Sequence, residues 1–493
     1  MGPSMIVKEV LEPATSRDVI LPNESIEYVQ SDREFLNRLD LQLQTSIIPV
    51  YYGHIDQIVC GDNEQLLKAH EASRVARTIH PDTMLRLQEL AESEKQSARM
   101  ARLLVGRFYS SEQPVIRGED CKSRYDDMDA WRNIRAKLQF GEMVGHEALR
   151  QALRRSQDEK TRLDLSEALH ADNATLAAFV LSAIKKARQE RGCTKSEYIE
   201  KYLQDYDEAL ELEEVQTLIE KLTILTTPIN DANTRAIQAV SGANTIDIWD
   251  SSYWYRTMMN MLDTLKLDEQ TKHSHDPLHR AVELLGHENL YQQMKVIVPE
   301  KRHATARCVP VNPPDEVVVI VHDPKEQEFA QIAEVFHEVG HGIHFVGMDK
   351  NMSYIERVMT SPFYEAMAFL YEDLVLEPGI LSEKVDAGQL NRIRGGRMLD
   401  RFRSMRNHVL RLNLNLIIYE NEGDMPDALI RETSSIYGQL IPYIKNLHPF
   451  WWANDLHVVE YPFYDLNYLY GWMIAAQIRS WWRHSHTEPL LSQ

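Results

Sequence analysis

Cysteine is scarce in this sequence, because only four occur among 493 residues. They are Cys60, Cys121, Cys193 and Cys308, and they are too widely spaced for a CxxC metal motif or a disulfide framework. Reduced thiols in a cytoplasm are the simplest explanation of this usage. The N-terminus also lacks a basic stretch followed by an apolar one, so it shows no secretory signal and a cytoplasmic location is predicted.

Long apolar runs are also missing, since the most apolar segments are short or interrupted by charged residues. A membrane-spanning helix needs about 18 or more such residues, so no membrane partner is predicted. Basic residues are outnumbered, because 54 Lys and Arg stand against 74 Asp and Glu, which gives a formal net charge of −20. Such a surface repels nucleic acid and anionic membranes, and neither is expected as a partner.

Strand signals are few, and the clearest are 295–299 and 316–322, the second of which contains a run of valine and isoleucine. From about residue 25 to 225 the apolar residues recur at helical spacing, with short breaks that include one near Gly53 and one near Asn173. Further helices are predicted over 364–376, 382–416, 426–447 and 462–483. The sequence therefore predicts a mostly α protein with a small β-sheet.

The most informative stretch that is present is HEVGHGIH at 337–344. Residues four apart share one face of a helix, so His337 and His341 can bind the same zinc ion while Glu338 lies beside it. Apolar residues before and within the motif predict a buried helix, in which two histidines without a metal would be costly. The competing interpretation is a histidine pair that is hydrogen-bonded in a core or lies on a solvated face.

A catalytic zinc site needs a third protein ligand. The metzincin pattern does not supply it, because that pattern needs Gly at 344 and His at 347, where this chain has His344 and Gly347. The acidic candidates downstream are Asp349, Glu356, Glu365 and Glu372. Glu365 is favoured, since it begins a second predicted helix and the loop before it can bring it back beside the first. The alternative for Glu365 is a favourable charge in the first helical turn.

The octet resembles the HExGHxxH signature of the thimet oligopeptidase and oligoendopeptidase F family, which are zinc metallopeptidases of the gluzincin type. His344 matches the third histidine of that signature. The family's third zinc ligand is a glutamate on the next helix, with a second glutamate seven residues later, and Glu365 and Glu372 repeat that spacing. The resemblance therefore implies a zinc cofactor bound by two histidines and Glu365.

Two further segments carry the same resemblance. Residues 249–253 resemble the family's WDxxY segment, and residues 461–471 resemble its YPFYxxxYxxG stretch. The resemblance covers about 240–480. The chain departs from the family in its shorter length, which is closer to that of the related carboxypeptidase Taq group, and at 302–308, where the usual glycine-rich approach is replaced.

The resemblance implies a fold of two helical lobes around a deep channel with zinc on its floor and the small β-sheet beside the HExxH helix. We accordingly expect an N-terminal arm over 1–24, an N-terminal helical lobe over 25–240 and a zinc-binding catalytic lobe over 241–493. A deep channel excludes folded proteins, so short oligopeptides are the expected substrates. The oligomeric state and the choice between endopeptidase and carboxypeptidase action are not predicted.

The motif residues can be given chemical roles. Zinc bound by His337, His341 and Glu365 would polarise a carbonyl and lower the pKa of its water. Glu338 would act as the general base and pass the proton to the leaving amine. Because it follows Glu365 by seven residues on the same helix face, Glu372 is predicted to hydrogen-bond a ligand histidine. A surface carboxylate is the alternative for Glu372, and His344 is placed with it beside the ligands.

The tetrahedral species of peptide hydrolysis also needs hydrogen-bond donors. The resemblance implies that a histidine and two tyrosines near the C-terminus contact the substrate. We assign this role to His457 and Tyr464, with Tyr468 next, although their spacing departs from that of the family. Leu466 occupies a position where oligoendopeptidases commonly carry tyrosine. Aromatic residues at such spacing are often only core residues.

Other interpretations stay open beside the peptidase. The same zinc scaffold could act on a small non-peptidic amide in a biosynthetic pathway, which the altered segment 302–308 suggests. A catalytically silent binding protein is disfavoured, because the zinc-motif residues are intact. The arginines of 392–406 could bind a peptide carboxylate, but a solvated helix face paired with nearby acids is favoured.

Overall fold

The computed structural model describes a large part of the chain. The described residues are 31–60, 66, 68–70, 72–73, 81–91, 93, 98–109, 122–190, 194–206, 210–262, 276–299, 306–321, 329–358, 361–377, 380, 387–421 and 426–485. The expected N-terminal arm and most of segment 302–308 lie outside them.

Helices account for most of these residues, which confirms the predicted mostly α class. The helices are α1 Asp32–Cys60, α2 Pro81–Ala91, α3 Ala98–Tyr109, α4 Lys122–Lys137, α5 His146–Arg155, α6 Glu159–His170, α7 Asn173–Glu190, α8 Lys195–Tyr206, α9 Leu212–Ser241, α10 Ile248–Leu262, α11 Asp276–Leu284, α12 Glu288–Tyr291, α13 Phe329–Val346, α14 Tyr354–Val358, α15 Pro362–Leu374, α16 Ala387–Glu420, α17 Pro426–Leu440, α18 Leu456–Val459 and α19 Asp465–Ser485. The strands are β1 Gln139–Phe140, β2 Met143–Val144, β3 Ile246–Asp247, β4 Lys295–Ile297, β5 Arg307–Asn312, β6 Glu316–Ile320 and β7 Ile444–Lys445. In the described part of the chain, no helix is long and apolar enough to cross a membrane.

The breaks between helices follow the sequence only in part. The predicted break near Asn173 is confirmed, because α6 ends at His170 and α7 begins at Asn173. The predicted break near Gly53 is wrong, since α1 continues through it. An isolated glycine is tolerated inside a helix when apolar neighbours such as Val50 and Ile55 are buried in the core.

Two compact units make up the chain, and each combines segments that are distant in sequence. Unit 1 takes its residues from Met1–Arg117, Leu265–Ala387 and Tyr470–Gln493, and unit 2 from Gly118–Thr264 and Gly388–Leu469. These boundaries differ from the contiguous division expected at residue 240.

Unit 1 contains a three-stranded sheet of order β4-β6-β5, in which β4 is parallel and β5 antiparallel to β6. Val318 and Ile320 pack with Ile55 of α1 on one face. Val319 points to the opposite face, where it lies against α13 at Gly342. The sheet therefore lies beside the helix of the zinc motif, as predicted.

Strand β5 was not expected from the sequence. It contains Pro310, which cannot donate a backbone hydrogen bond and therefore argues against a strand. Proline is tolerated at the edge of a sheet, and β5 is an edge strand.

Asp40 of α1 connects to α14 within unit 1. Its Oδ2 accepts a hydrogen bond from the backbone N of Tyr354 at 2.7 Å, and its Oδ1 accepts one from Ile355 at 2.8 Å. We expect Asp40→Ala to lower the free energy of unfolding by about 2 kcal/mol, because two buried N–H groups lose their acceptors. Urea denaturation followed by circular dichroism measures this, with the exposed Glu89→Ala as control. Equal stability of the two variants would contradict the prediction.

The WDxxY segment contacts a neighbouring helix within unit 2. Nε of Arg162 in α6 lies 2.6 Å from Oδ1 of Asp250, and both side chains are buried. The same guanidinium lies 4.1 Å from the ring centre of Tyr253. Asp250 and Tyr253 therefore bind an arginine of a neighbouring helix.

The arginines of α16 are also structural, so the favoured solvated face is wrong for some of them. Arg406 is buried and donates to the carbonyl oxygens of Leu440 and Thr223. Arg403 lies 3.5 Å from the ring centre of Tyr255.

Helix α17 ends at Leu440 instead of continuing to 447, because the chain then forms β7, which pairs with β3.

Candidate metal centre

The helices of the zinc motif and of the predicted third ligand, α13 and α15, approach each other closely at Gly340. A Cβ atom there would lie 2.7 Å from both the Cα of Ala368 and the carbonyl oxygen of Met367. Carbon atoms do not approach each other to such a distance, so glycine is required for this helix separation. The close approach brings His337 and His341 of α13 next to α15.

Glu365 lies in the first turn of α15, which begins at Pro362. Ser361 caps this helix, because its side chain accepts a hydrogen bond from the backbone N of Tyr364. Gly471 of α19 packs on the other side, where an added Cβ would lie 2.6 Å from the Cβ of Glu365. Glu365 is consequently 1% exposed and fixed between two helices of unit 1.

The three predicted metal ligands converge. Oε2 of Glu365 lies 3.6 Å from Nε2 of His337 and 3.7 Å from Nε2 of His341. Ligand atoms about 2.0 to 2.2 Å from a tetrahedral zinc ion are separated by roughly 3.3 to 3.6 Å. The two distances from Oε2 of Glu365 are close to this range.

Both histidines are held by the ring nitrogen that faces away from Glu365. Nδ1 of His337 lies 3.1 Å from Oε2 of Glu372, and Nδ1 of His341 lies 3.2 Å from the carbonyl oxygen of Tyr364. Since these partners are acceptors, they place a proton on each Nδ1 and leave the lone pair of each Nε2 available to a metal ion. The ring of Tyr364 also stacks on His341, with 3.6 Å between the ring centres.

Two carboxylates compete for the role of third ligand. Glu338 offers an oxygen within 4.8 Å of ligand nitrogens of both His337 and His341. However, its Oε2 accepts a hydrogen bond of 2.6 Å from the backbone N of Cys308 in β5. Glu365 fits the ligand role better, because its oxygen is close to both Nε2 atoms. Glu338 is thereby left beside the metal position as a candidate base.

The charges around the two imidazoles favour a cation. Burial alone would lower the pKa of His337. The hydrogen bond that His337 donates to Glu372 and the charges of Glu372, Glu338 and Glu365 outweigh burial and raise this pKa to about 9. Burial and the neighbouring imidazoles hold the pKa of His341 well below its usual range. Three carboxylates thus surround two histidines, and a divalent cation between them would balance this charge.

His344 lies one turn after His341 and differs from the two predicted ligands. Its Nε2 is buried and has no hydrogen-bond partner among the described residues. The centre of its ring lies 5.5 Å from that of Phe345 and 6.1 Å from that of Tyr364. Burial lowers the pKa of His344 to about 4, so the ring is neutral at physiological pH.

The predicted substrate-binding residues His457, Tyr464 and Tyr468 belong to unit 2. They form one aromatic cluster, in which the ring of His457 lies 6.1 Å from that of Tyr464 and 5.8 Å from that of Tyr468. The ring centres of the two tyrosines are 5.2 Å apart. Leu466, by contrast, is buried. The catalytic role of the cluster stays a prediction from the sequence.

Several contacts of the site are not predicted by the sequence. The backbone N of Cys308 contacts Glu338 only because β5 lies beside α13, and Val309 and Val311 on either side of Pro310 were the signal for that strand. The contact of Gly471 with Glu365 joins segments far apart in the chain and has no local signal.

Glu372 should tune metal affinity. Glu372→Ala removes the acceptor of the Nδ1 proton of His337, and we expect the apparent Kd for zinc to rise by about 10- to 100-fold. Glu372→Gln keeps an acceptor oxygen and should show a smaller increase. Competition with a chromophoric chelator measures both constants. An unchanged affinity in the alanine variant would mean that the contact between Glu372 and His337 does not influence metal binding.

No protein-family model matches the chain, and no curated protein matches its sequence significantly. Solved structures do match its fold. PZ peptidase A with an inhibitor is 12% identical and has a TM-score of 0.62, over 93% of this chain and 89% of that one. A structure provisionally named oligoendopeptidase F is 12% identical with a TM-score of 0.63, over 92% of this chain and 83% of that one. The M32 carboxypeptidase from Deinococcus radiodurans R1 is 13% identical with a TM-score of 0.57, over 92% of this chain and 87% of that one. The chain therefore has the fold that these peptidase structures share.

Proposed function

We propose that the protein is a zinc-dependent metallopeptidase that hydrolyses peptide bonds of short oligopeptides. The convergence of His337, His341 and Glu365 with Glu338 beside them is the observation that supports this most strongly. The fold agrees, because the similar structures include one named oligoendopeptidase F and a carboxypeptidase.

The nitrogens Nε2 of His337 and His341 and the carboxylate of Glu365 would hold the zinc ion. When bound, zinc supplies a Lewis acid and lowers the pKa of water to near neutrality. Glu372 and the carbonyl of Tyr364 keep the two imidazoles oriented, so little reorganisation is needed when the metal binds.

Glu338 would carry the proton. Its Oε2 is fixed by the backbone N of Cys308, and its Oε1 makes no hydrogen bond with described residues. Oε1 can therefore accept a proton from the attacking water and donate it to the leaving amine. Burial raises the pKa of Glu338, against the opposing effects of His337 and Cys308, and a raised pKa suits a group that must both take and return a proton.

The tetrahedral oxyanion needs donors besides the metal. The resemblance to the oligopeptidase family implies substrate contact for His457, Tyr464 and Tyr468, and the tyrosine hydroxyls are the natural donors among them.

A peptide-library experiment tests the proposed function. The protein is stripped with a chelator, reloaded with zinc and incubated with a mixed library of short peptides, and products are identified by mass spectrometry. We expect cleavage that depends on zinc and is absent in His341→Ala, which loses a ligand. No cleavage by a protein that binds one zinc ion per chain would overturn the peptidase proposal and favour a small non-peptidic amide. Failure of the intact protein to bind zinc would overturn both functions.

A further inference from the structure

Asp465 is a fully buried carboxylate at the start of α19 and belongs to unit 2. Its Oδ1 accepts a hydrogen bond from Nδ1 of His408 on α16. Its Oδ2 lies 3.9 Å from Nδ1 of His457 on α18. The two oxygens of one carboxylate therefore face two different imidazoles.

The backbone of His457 is held by a second carboxylate. Oδ1 of Asp455 accepts a hydrogen bond of 2.9 Å from the backbone N of His457, which caps the start of α18. Oδ2 of Asp455 accepts one of 2.9 Å from Nε of Arg411. Arg411 also lies 3.6 Å from Oδ1 of Asp465 and thus links the two carboxylates. The ring of His457 is therefore carried on a fixed segment.

The ring of His457 has a buried and an accessible side. Its Nδ1 is buried without a hydrogen-bond partner among the described residues, and so is Oδ2 of Asp465. Because 29% of the side chain is exposed, the accessible part lies on the rest of the ring. An approach of about 1 Å would join the two buried atoms in a hydrogen bond and satisfy both.

Charged groups and rings from several segments of unit 2 surround His457. Asp465, Asp455, Arg411 and His408 are the charged and titratable neighbours, and Tyr461, Tyr464 and Tyr468 supply the rings. Burial outweighs the two carboxylates and lowers the pKa of His457, so its ring is neutral at pH 7. Burial alone would raise the pKa of Asp465, but the contacts with His408 and Arg411 outweigh burial and lower it, so the carboxylate is ionised at pH 7.

We propose that Asp465 is a positioning residue that holds neutral His457 with its proton on Nδ1, so that Nε2 is presented as a hydrogen-bond acceptor. His408 binds the other oxygen and fixes the rotation of the carboxylate. In this tautomer Nε2 of His457 can accept a hydrogen bond from a peptide N–H. The substrate contact rests on the proposed peptidase function, whereas the tautomer does not.

Asp465→Asn tests this positioning, because asparagine has only one acceptor oxygen and cannot serve two Nδ1–H groups. Arg411 and His408 still bind the remaining oxygen, so the new amide NH2 faces His457. Because this NH2 is a donor, Nδ1 of His457 must accept, and the ring proton of His457 moves to Nε2. Asp455→Asn is the matched control, since it removes a negative charge from the same cluster without touching the ring. Protein labelled with ¹⁵N-histidine reports the tautomer by NMR, and His457→Gln assigns the signal.

We expect the Nδ1–H tautomer in the wild type and in Asp455→Asn, and the Nε2–H tautomer in Asp465→Asn. The kcat/KM for a cleaved peptide should fall by about 10- to 100-fold in Asp465→Asn with a changed pH profile, and less in the control. An Nε2–H tautomer in the wild type would overturn the proposal even if Asp465→Asn does not fold. Equal tautomers in the two variants would also overturn it. A wild type that binds zinc and cleaves no peptide overturns the peptidase instead, while the NMR result still decides the role of Asp465.

Discussion

Glu338→Gln should leave zinc bound and reduce kcat for peptide hydrolysis by about 10²- to 10⁴-fold. The amide keeps the size of the side chain, but it cannot take a proton from water. It can also still accept the hydrogen bond from the backbone N of Cys308, so the local structure should persist. The zinc stoichiometry measures whether the metal stays bound, and steady-state kinetics with a cleaved peptide measure the loss of kcat.

The matched control is Glu334→Gln, which removes a negative charge one helical turn earlier on α13. Glu334 raises the pKa of Glu338 through its charge, so the control should shift the pH profile slightly toward acid and change kcat far less. A similar loss in both variants would mean that the charge of this helix, and not a proton transfer by Glu338, supports the reaction. Loss of zinc from Glu338→Gln would instead make Glu338 a ligand.

The parts of the site that the sequence predicted are those with local spacing. His337, Glu338 and His341 lie within two turns of one helix, so their common face follows from helix geometry alone. Glu365 required only that α15 return beside α13, and elements close in sequence are usually also neighbours in space. The helices after the zinc motif could be predicted for the same reason, since each shows helical periodicity over several turns.

The parts that the sequence did not predict depend on long-range packing. Gly53 lies inside α1 and not at a break, because buried residues on both sides keep the helix intact. Arg406 has the composition of a solvated helix face, yet it is buried because its guanidinium satisfies carbonyl oxygens at Thr223 and Leu440. Neither outcome can be derived from a single segment, because each depends on which surface the fold places opposite it.

The separation of α13 and α15 depends on the absence of a side chain at Gly340. Gly340→Ala would place a Cβ 2.7 Å from backbone atoms of Ala368 and Met367, which cannot move away as the end of a flexible side chain can. We expect α13 and α15 to separate, the free energy of unfolding to fall by about 1 to 3 kcal/mol and zinc affinity to decrease, because Glu365 moves away from both Nε2 atoms.

Gly438→Ala provides the opposite case for comparison. Gly438 lies in the helix α17, and an added Cβ there would have no atom of the described residues within 4 Å outside the surrounding backbone of its own helix. Alanine at this position should therefore stabilise the protein by up to about 1 kcal/mol and leave zinc affinity unchanged. Denaturant unfolding of the metal-free proteins and chelator competition separate the effect on stability from the effect on the metal. If Gly340→Ala were as stable as Gly438→Ala and bound zinc as tightly as the wild type, the close approach of α13 and α15 would not be what sets the ligand spacing. The opposite signs of the two substitutions follow only if helix separation, and not the helix propensity of alanine, determines the outcome at Gly340.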